Sequence, residues 1–344
     1  MRRGRRSGFF VFVAVHSTAR GPALGGCRMW RYDDSRAAMR DALRLSRAMT
    51  FKNAVADLPL GGGKGVIMVP AERDVSAARR RDALRDFGDA VGSLGGRYVT
   101  AEDVGTSARD MTVIAEQTPH VTGLSRRRGG SGDPSPWTAL GVHVAIEVSC
   151  AEAFSSRSLR DRTIAVVGLG NVGGRLAIRL ARAGANLVVA DIDERKRALA
   201  EELGARWTTP DRALTAPVDV VAPCALGGVL DDESVPALSC RVVAGAANNQ
   251  LADDRIADLL HERGILWAPD FVANAGGIVN IAVELEPAGY DPRRARRRVR
   301  GIGDTLAEVY ANARAIGATP LTAAMELARR RLTVAEERGA PAQA

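Results

Sequence analysis

Lysine is rare in this chain of 344 residues, and two of its lysines flank a run of glycines. Lys52, Lys64 and Lys196 are the only lysines among 48 basic residues, and the rest are arginine. A lysine whose pKa is lowered can exchange a proton near neutral pH, whereas an arginine keeps its proton. Asp103 adds a carboxylate in the stretch AEDVG. Together Lys52, Lys64 and Asp103 predict an acid–base site, although each alone fits a surface lysine or a capping aspartate.

A second pattern is typical of dinucleotide binding. An apolar strand, TIAVV, leads into the motif Gly168-Leu169-Gly170-Asn171-Val172-Gly173, a helix follows, and Asp191 ends the next strand. The glycines permit a tight turn and place a pyrophosphate at the positive end of the helix. Asp191 is expected to accept hydrogen bonds from the ribose hydroxyls and to repel a 2′-phosphate, which favours NAD over NADP. Arg195 and Lys196 follow closely enough to keep NADP open.

The periodicity of apolar residues predicts two α/β domains. Strands are expected at 9–15, 66–69 and 97–101, and helices at 35–49 and 75–92, with Gly61–Gly63 leaving room for a substrate. A glycine-rich stretch at 126–136 indicates a domain crossover, and from residue 163 strands and helices alternate as in a doubly wound Rossmann sheet. We therefore predict a substrate-binding domain at 1–132, completed by a helix at about 317–344, and an NAD-binding domain at 133–316.

Composition narrows the classes of protein and partner. The chain is 46% hydrophobic and 26% charged, which is typical of a soluble globular protein. The net charge of +8 is spread along helices among acids, and the short arginine clusters contain no aromatic residues, so nucleic acid is disfavoured. No apolar run approaches a membrane span, and the basic, apolar start alternates like a strand without a signal cleavage site. The cysteines and histidines have no metal-ligand spacing, so we expect no bound metal. We expect a cytoplasmic protein whose cysteines are reduced thiols.

Eight stretches resemble the glutamate/leucine/phenylalanine/valine dehydrogenases. They occur in the order of that family and cover nearly the whole chain: GPALGGCRM (21–29), MTFKNAVADLPLGGGKGVI (49–67), GRYVTAEDVGT (96–106), GGSGDPSPWTALGV (129–142), GLGNVG (168–173), APCALGG (222–228), GAANNQL (245–251) and APDFVANAGGIVN (268–280). The resemblance implies a homo-oligomer that has an N-terminal amino acid dehydrogenase domain and a Rossmann domain. Family members usually carry a further helix and strand before 9–15, so the size of the oligomer stays open.

The resemblance also implies roles for individual residues in a reversible, NAD-dependent oxidative deamination. Lys52 would bind the substrate α-carboxylate, Lys64 would activate water as the catalytic base, and Asp103 would shuttle protons to and from the amino group. The products would be a 2-oxo acid and ammonia. The remaining contacts would come from the Gly25-Gly26 backbone and from Asn274 on the substrate, and from Thr138, Ala225 and Asn249 on the cofactor.

The substrate is expected to be an apolar L-amino acid. Glutamate-specific members of the family carry a lysine in place of Leu24 and a serine in place of Ile281, and neither residue here can pair with a side-chain carboxylate. Leu24, Ala101, Ile278 and Ile281 would instead line an apolar pocket, which favours leucine or valine. Phenylalanine and tryptophan remain open, because methylene-scale differences change selectivity only about 10- to 200-fold. A catalytically silent NAD-binding regulator on the same fold is the rival from another class.

Overall fold

The chain groups into two compact units. A computed structural model describes residues 1–70 and 75–339. The first unit comprises Met1–Asp133, Ile281–Pro292 and the chain from Ala328, and the second comprises Pro134–Asn280 and Arg293–Leu327. The predicted helix at about 317–344 corresponds to α14 (Pro320–Gly339), and its last five residues, 340–344, lie outside the described residues.

A mixed sheet with helices on both faces forms the first unit. Its elements are β1 (Arg2–Arg3), β2 (Phe10–Ser17), β3 (Ala23–Arg31), α1 (Ser35–Val55), β4 (Gly61–Val69), α2 (Ala77–Gly92), β5 (Tyr98–Glu102) and α3 (Ala108–Ile114). The strand order is β1-β2-β4-β3-β5, in which β3 runs parallel to β4 and β5, whereas β2 runs antiparallel to β1 and β4. Ala38 and Ala42 of α1 pack on one face against Phe12 and Val66. The opposite face packs with α2 and α3 in a larger apolar core.

The glycine run belongs to a strand, which corrects the expected start at residue 66. Gly61–Gly63 and Lys64 all lie in β4. A Cβ on Gly61 would lie 2.0 Å from the Ser17 carbonyl oxygen, and one on Gly62 only 2.1 Å from the Thr50 nitrogen. We expected these glycines to leave room for a substrate. Instead, the space beside them is filled by neighbouring parts of the protein. Glycine has a low strand propensity, so sequence patterns do not predict a strand at this segment. The glycines are needed here because neighbouring backbone packs closely against them.

A parallel six-stranded sheet organises the second unit. Its elements are α4 (Ser135–Phe154), β6 (Thr163–Val167), α5 (Gly173–Arg182), β7 (Asn186–Ala190), α6 (Arg197–Glu202), β8 (Arg206–Trp207), α7 (Pro210–Leu214), β9 (Val220–Pro223), α8 (Ser234–Ala237), β10 (Val242–Val243), α9 (Ile256–Glu262), β11 (Leu266–Trp267), α10 (Asp270–Ala273), α11 (Gly276–Ala282), α12 (Pro292–Arg300) and α13 (Ile302–Ile316). The strand order is β11-β10-β9-β6-β7-β8. This is the doubly wound arrangement predicted for a Rossmann domain. No helix in the described ranges is long and apolar enough to cross a bilayer.

Two segments lie in a different unit from the one predicted. Residues 317–327 were expected to complete the first domain, but they group with the second unit. Residues 281–292 were assigned to the second domain, but they group with the first unit. The Glu284 carboxylate accepts hydrogen bonds there from the backbone N–H of Gly123 at 3.1 Å and of Ser131 at 2.7 Å. Helical periodicity cannot reveal such contacts, because they join residues more than 150 positions apart.

Candidate active site

One face of the first sheet gathers the predicted catalytic residues. The register pairs Leu24 with Gly62 and Arg28 with Val66, which brings Gly26 level with Lys64. Gly26 also pairs with Ala101 on β5, and Asp103 follows that strand. Because side chains alternate across a strand, these positions all face α1. The site is thus built on two neighbouring parallel strands and on the end of a third.

The buried Lys64 and the half-buried Asp103 form an ion pair. The Lys64 Nζ lies 2.8 Å from Asp103 Oδ2, and the exposed fractions of the side chains are 6% and 24%. Burial lowers the pKa of Lys64, Asp103 opposes this effect, and the nearby Arg28 charge adds to it. Burial works against ionisation of Asp103, but Lys64 and Arg28 outweigh it and keep the pKa of that carboxyl below its usual value. The pair therefore combines an ionised carboxylate with an amine that releases its proton more readily than usual.

Arg28 extends this pair into a network that the sequence did not reveal. Its Nε donates to Asp103 Oδ2 at 3.0 Å, and its Nη1 donates to Asp41 Oδ2 at 3.0 Å. Tyr32 donates its hydroxyl to Asp41 at 2.6 Å, and Arg44 donates to the other oxygen of Asp41 at 2.9 Å. Among so many arginines, residue type alone does not distinguish Arg28. Its position in the GPALGGCRM stretch was the one available signal.

The predicted substrate contacts in the first unit surround this pair. A Cβ on Gly25 would lie 1.7 Å from the Gly63 carbonyl oxygen, and one on Gly26 would lie 2.7 Å from Asp103 Cβ, so only glycine fits at either position. Leu24 and Ala101 are buried on the same face. Lys52 lies in the last turn of α1, because that helix continues past the predicted end at residue 49 to Val55.

The dinucleotide loop leaves open space at its middle glycine. A Cβ on Gly168, whose φ is +102°, would lie 2.7 Å from Ala225 Cβ, and one on Gly173 would lie 1.9 Å from the Gly168 carbonyl oxygen. A Cβ on Gly170 would meet nothing within 4 Å. The outer glycines thus shape the turn between β6 and α5, whereas Gly170, beside Asn171 and Val172, adjoins free volume at the start of α5. This cradle fits a pyrophosphate group.

Asp191 lies at the carboxyl edge of β7, next to this loop. Its Oδ2 accepts a hydrogen bond from Leu169 N at 2.6 Å. Arg195, a possible ligand for a 2′-phosphate, instead pairs with Asp193 at 2.8 Å. Two large apolar side chains that no sequence pattern singles out, Ile192 and Leu226, are 92% and 75% exposed. They follow β7 and β9, which flank β6, and exposed apolar residues at that edge suit the faces of a nucleotide base.

The other predicted contacts occupy α4 and the loops that follow β9 and β10. Thr138 Oγ1 donates to the Pro134 carbonyl at 3.3 Å, and Asn249 is exposed with a φ of +52°. The buried Asn274 amide donates to Asn248 Oδ1 at 2.9 Å. Ile278 is half-buried and Ile281 is buried, both on α11. Ile281 groups with the first unit, whereas Thr138, Asn249, Asn274 and Ile278 belong to the second.

Comparisons with known proteins agree with this arrangement. Family models match at residues 1–120 (Glu/Leu/Phe/Val dehydrogenase, dimerisation domain), at 189–339 (Glutamate/Leucine/Phenylalanine/Valine dehydrogenase) and at 145–226 (D-isomer specific 2-hydroxyacid dehydrogenase, NAD binding domain). Leucine dehydrogenase of Bacillus cereus is 46% identical, with 95% of this chain and 88% of the relative covered. Valine dehydrogenase of Streptomyces virginiae is 43% identical, with 96% and 91% covered.

A solved structure extends the comparison to three dimensions. The structure of L-tryptophan dehydrogenase from Nostoc punctiforme aligns with a TM-score of 0.84 and 37% identity, covering 96% of this chain and 94% of that one. Both halves of the chain therefore match one group of enzymes in sequence, and the whole chain matches it in fold. The chain belongs to the glutamate/leucine/phenylalanine/valine dehydrogenase family.

Proposed function

We propose that this protein catalyses the reversible, NAD-dependent oxidative deamination of a branched-chain L-amino acid, leucine or valine. The observation that carries this proposal is the ion pair between the buried Lys64 and Asp103, 2.8 Å apart, on the α1 face of the first sheet. A silent NAD-binding regulator would have no need for a buried amine with a lowered pKa beside an ionised carboxylate. The leucine and valine dehydrogenases among the relatives support the choice of substrate class.

The chain's own residues account for substrate binding and proton transfer. Lys52, in the last turn of α1, would hold the α-carboxylate by charge attraction. Asp103, which Lys64 and Arg28 keep ionised, would take a proton from the substrate ammonium and return one to the departing ammonia. Lys64, whose pKa burial lowers, would accept a proton from the attacking water. A bound nicotinamide supplies the acceptor for the hydride that leaves the substrate Cα.

NAD is favoured over NADP by the charges near the loop. Gly168, Gly170 and Gly173 would carry the pyrophosphate, and Asp191 would face the adenosine ribose. The Asp191 carboxylate would repel a 2′-phosphate, and Asp193 already neutralises Arg195. The match of residues 145–226 to an NAD-binding domain supports the same choice. Thr138, Ala225 and Asn249 would contact the cofactor, and Asn274 the substrate amino group.

The test of this function is a substrate panel. Leu24, Ala101, Ile278 and Ile281 offer no partner for a charged side chain, so glutamate would have to lose its hydration without compensation. We expect NADH formation with leucine and valine at alkaline pH, with kcat/KM at least about 100-fold higher than for glutamate. Phenylalanine and tryptophan should follow the branched-chain substrates. Cofactor binding without turnover of any amino acid would instead support the silent regulator.

We further propose that the protein works as a homo-oligomer in the cytoplasm. Residues 1–120 match a domain described as a dimerisation domain, which supports self-association. All four cysteines are free thiols, which is typical of a reducing compartment. Light scattering coupled to size-exclusion chromatography measures the subunit number directly. A monomer that retained full activity would contradict the oligomer.

Replacing Arg28 by methionine should shift the pH profile. Arg28 lowers the pKa of both Lys64 and Asp103, so its loss raises both values. The active form, with neutral Lys64 and ionised Asp103, then appears at higher pH. We expect the rising limb of kcat/KM to move to higher pH, and kcat at neutral pH to fall about 10- to 100-fold from misplacement of Asp103.

The matched control is Arg44→Met, because Arg44 shares the Asp41 partner with Arg28 but donates to its other oxygen and does not contact Asp103. This variant should keep the wild-type profile. Arg28→Lys should restore much of the lost rate, since it retains the positive charge. An Arg28→Met enzyme that was less stable but had an unchanged pH profile would reduce Arg28 to a structural residue.

A further inference from the structure

An open cavity in the second unit lies along α5, the helix that begins at the dinucleotide loop. Its volume is about 520 Å³, within the range of small-molecule sites. Pro136 and His143 of α4 line one side, and Arg175, Ile178, Arg179 and Arg182 of α5 line another. The α5 positions recur at helical spacing, so their side chains share one face of that helix. The chemistry assigned above uses none of these side chains.

Positive charge accumulates at this cavity. Arg296 and Arg300, which are exposed on α12, lie close enough to Arg179 to act on it electrostatically. Burial lowers the pKa of Arg179, and the charges of Arg296, Arg182 and Arg300 lower it further. In the ranges 1–70 and 75–339, no carboxylate forms an ion pair with any of these four arginines. Four like charges held together without partners repel one another, and an anion placed among them would relieve that repulsion.

Two neighbouring groups complete the description of the site. His143 Nδ1 is buried and has no hydrogen-bond partner among the described residues. Glu147 carries a carboxylate whose Oε1 lies 3.5 Å from His143 Nε2. His143 lowers the pKa of Glu147 most, and Arg157 and Arg300 add to this effect. One carboxylate already engaged by His143 leaves the four guanidiniums with a large excess of positive charge.

We propose that this cavity binds a small polyphosphate anion, either the phosphate chain of a nucleotide or a free polyphosphate. Guanidinium groups bind phosphate oxygens in pairs, and several arginines around one cavity suit a chain of phosphates better than a single carboxylate. Arginines of α5 and His143 of α4 line the cavity, so the ligand would bridge these two helices, and Arg296 and Arg300 of α12 would add positive charge nearby. Because α5 begins at the dinucleotide loop and Arg175 lies in its first turn, such a ligand would contact the helix that supports the cofactor site.

Isothermal titration of the full-length protein with sodium tripolyphosphate, and separately with ATP, tests the proposal. Saturating NADH is present throughout, so that the dinucleotide loop is occupied. We expect saturable binding of one tripolyphosphate per subunit, which weakens as the salt concentration rises. The double substitution Arg179→Gln/Arg182→Gln should weaken binding about 100-fold, or roughly tenfold for each arginine. The matched control is Arg206→Gln/Arg212→Gln, which removes the same charge from exposed positions elsewhere in the second unit.

The outcomes separate the two sources of phosphate and the alternatives. Similar affinity for tripolyphosphate and ATP would support recognition of the phosphate chain alone. Tighter ATP binding that the Arg179→Gln/Arg182→Gln variant loses would support a nucleotide ligand at this cavity. Absence of saturable binding, equal weakening in the control variant, or binding that appears only when NADH is left out would each overturn the proposal. Unchanged leucine turnover without added phosphate would show that the double variant is folded.

Discussion

Lys64→Arg should lower kcat by at least about a thousandfold, because a guanidinium keeps the positive charge but does not release its proton at the working pH. The affected side chain is 6% exposed and pairs with Asp103, so water cannot readily replace its function. The measurement is steady-state NADH formation with leucine from pH 7 to pH 11, which also shows whether any residual rate still rises with pH. A variant with wild-type kcat would contradict the proposed proton transfer through Lys64.

Two further variants separate chemistry from packing in this experiment. Lys196→Arg makes the same chemical change outside the first unit and should leave kcat unchanged. Lys64→Ala removes the amine without adding bulk, and added ethylamine should restore part of its activity by entering the space left behind. Similar melting temperatures for all three variants would confirm that each is folded. Failure of rescue in a folded Lys64→Ala protein would indicate that Lys64 acts through packing rather than as a base.

Asp103→Asn should lower kcat about 100- to 10,000-fold, because the amide keeps the shape of the side chain but cannot accept a proton from the substrate ammonium. It should also change the titration of Lys64 in a defined direction. Asp103 raises the pKa of Lys64, so its neutralisation lowers that pKa further. Lys64 should therefore become reactive towards an acylating reagent at lower pH than in the wild type. Mass spectrometry of labelled peptides across a pH series follows this change independently of turnover.

Glu102→Gln is the matched control for Asp103→Asn. Glu102 is adjacent in sequence but is surrounded by different groups. Burial and the charge of Asp133 raise its pKa, and a backbone hydrogen bond involving Ala108 opposes that shift. This variant should keep kcat within about threefold of the wild type and leave the titration of Lys64 unchanged. Equal losses in both variants would indicate a general effect of charge on the unit rather than a specific role for Asp103. Opposite shifts of Lys64 reactivity in Asp103→Asn and Arg28→Met would support the whole network.

Much of the site could be predicted from local patterns. The strand, glycine turn and helix around Gly168–Gly173 form a continuous signal, because backbone conformation and helix start both depend on nearby residues. Lys64 was identified because lysine is so rare in this chain, and Asp103 because it follows a predicted strand in the stretch AEDVG. In contrast, Gly61–Gly63 were expected ahead of a strand and to admit a substrate. The structure places them inside β4, where Ser17 and Thr50 occupy the space that side chains would need.

The sequence by itself determined which groups could do the chemistry and which loop could carry a dinucleotide. Only the tertiary structure decided their partners: Arg28 between Asp103 and Asp41, and Glu284 joined to Gly123 in the first unit. The physical reason is that the periodicity of apolar residues indicates only which face of a strand or helix is buried. Which distant side chains then meet depends on strand order and register, and these follow from packing of the whole unit.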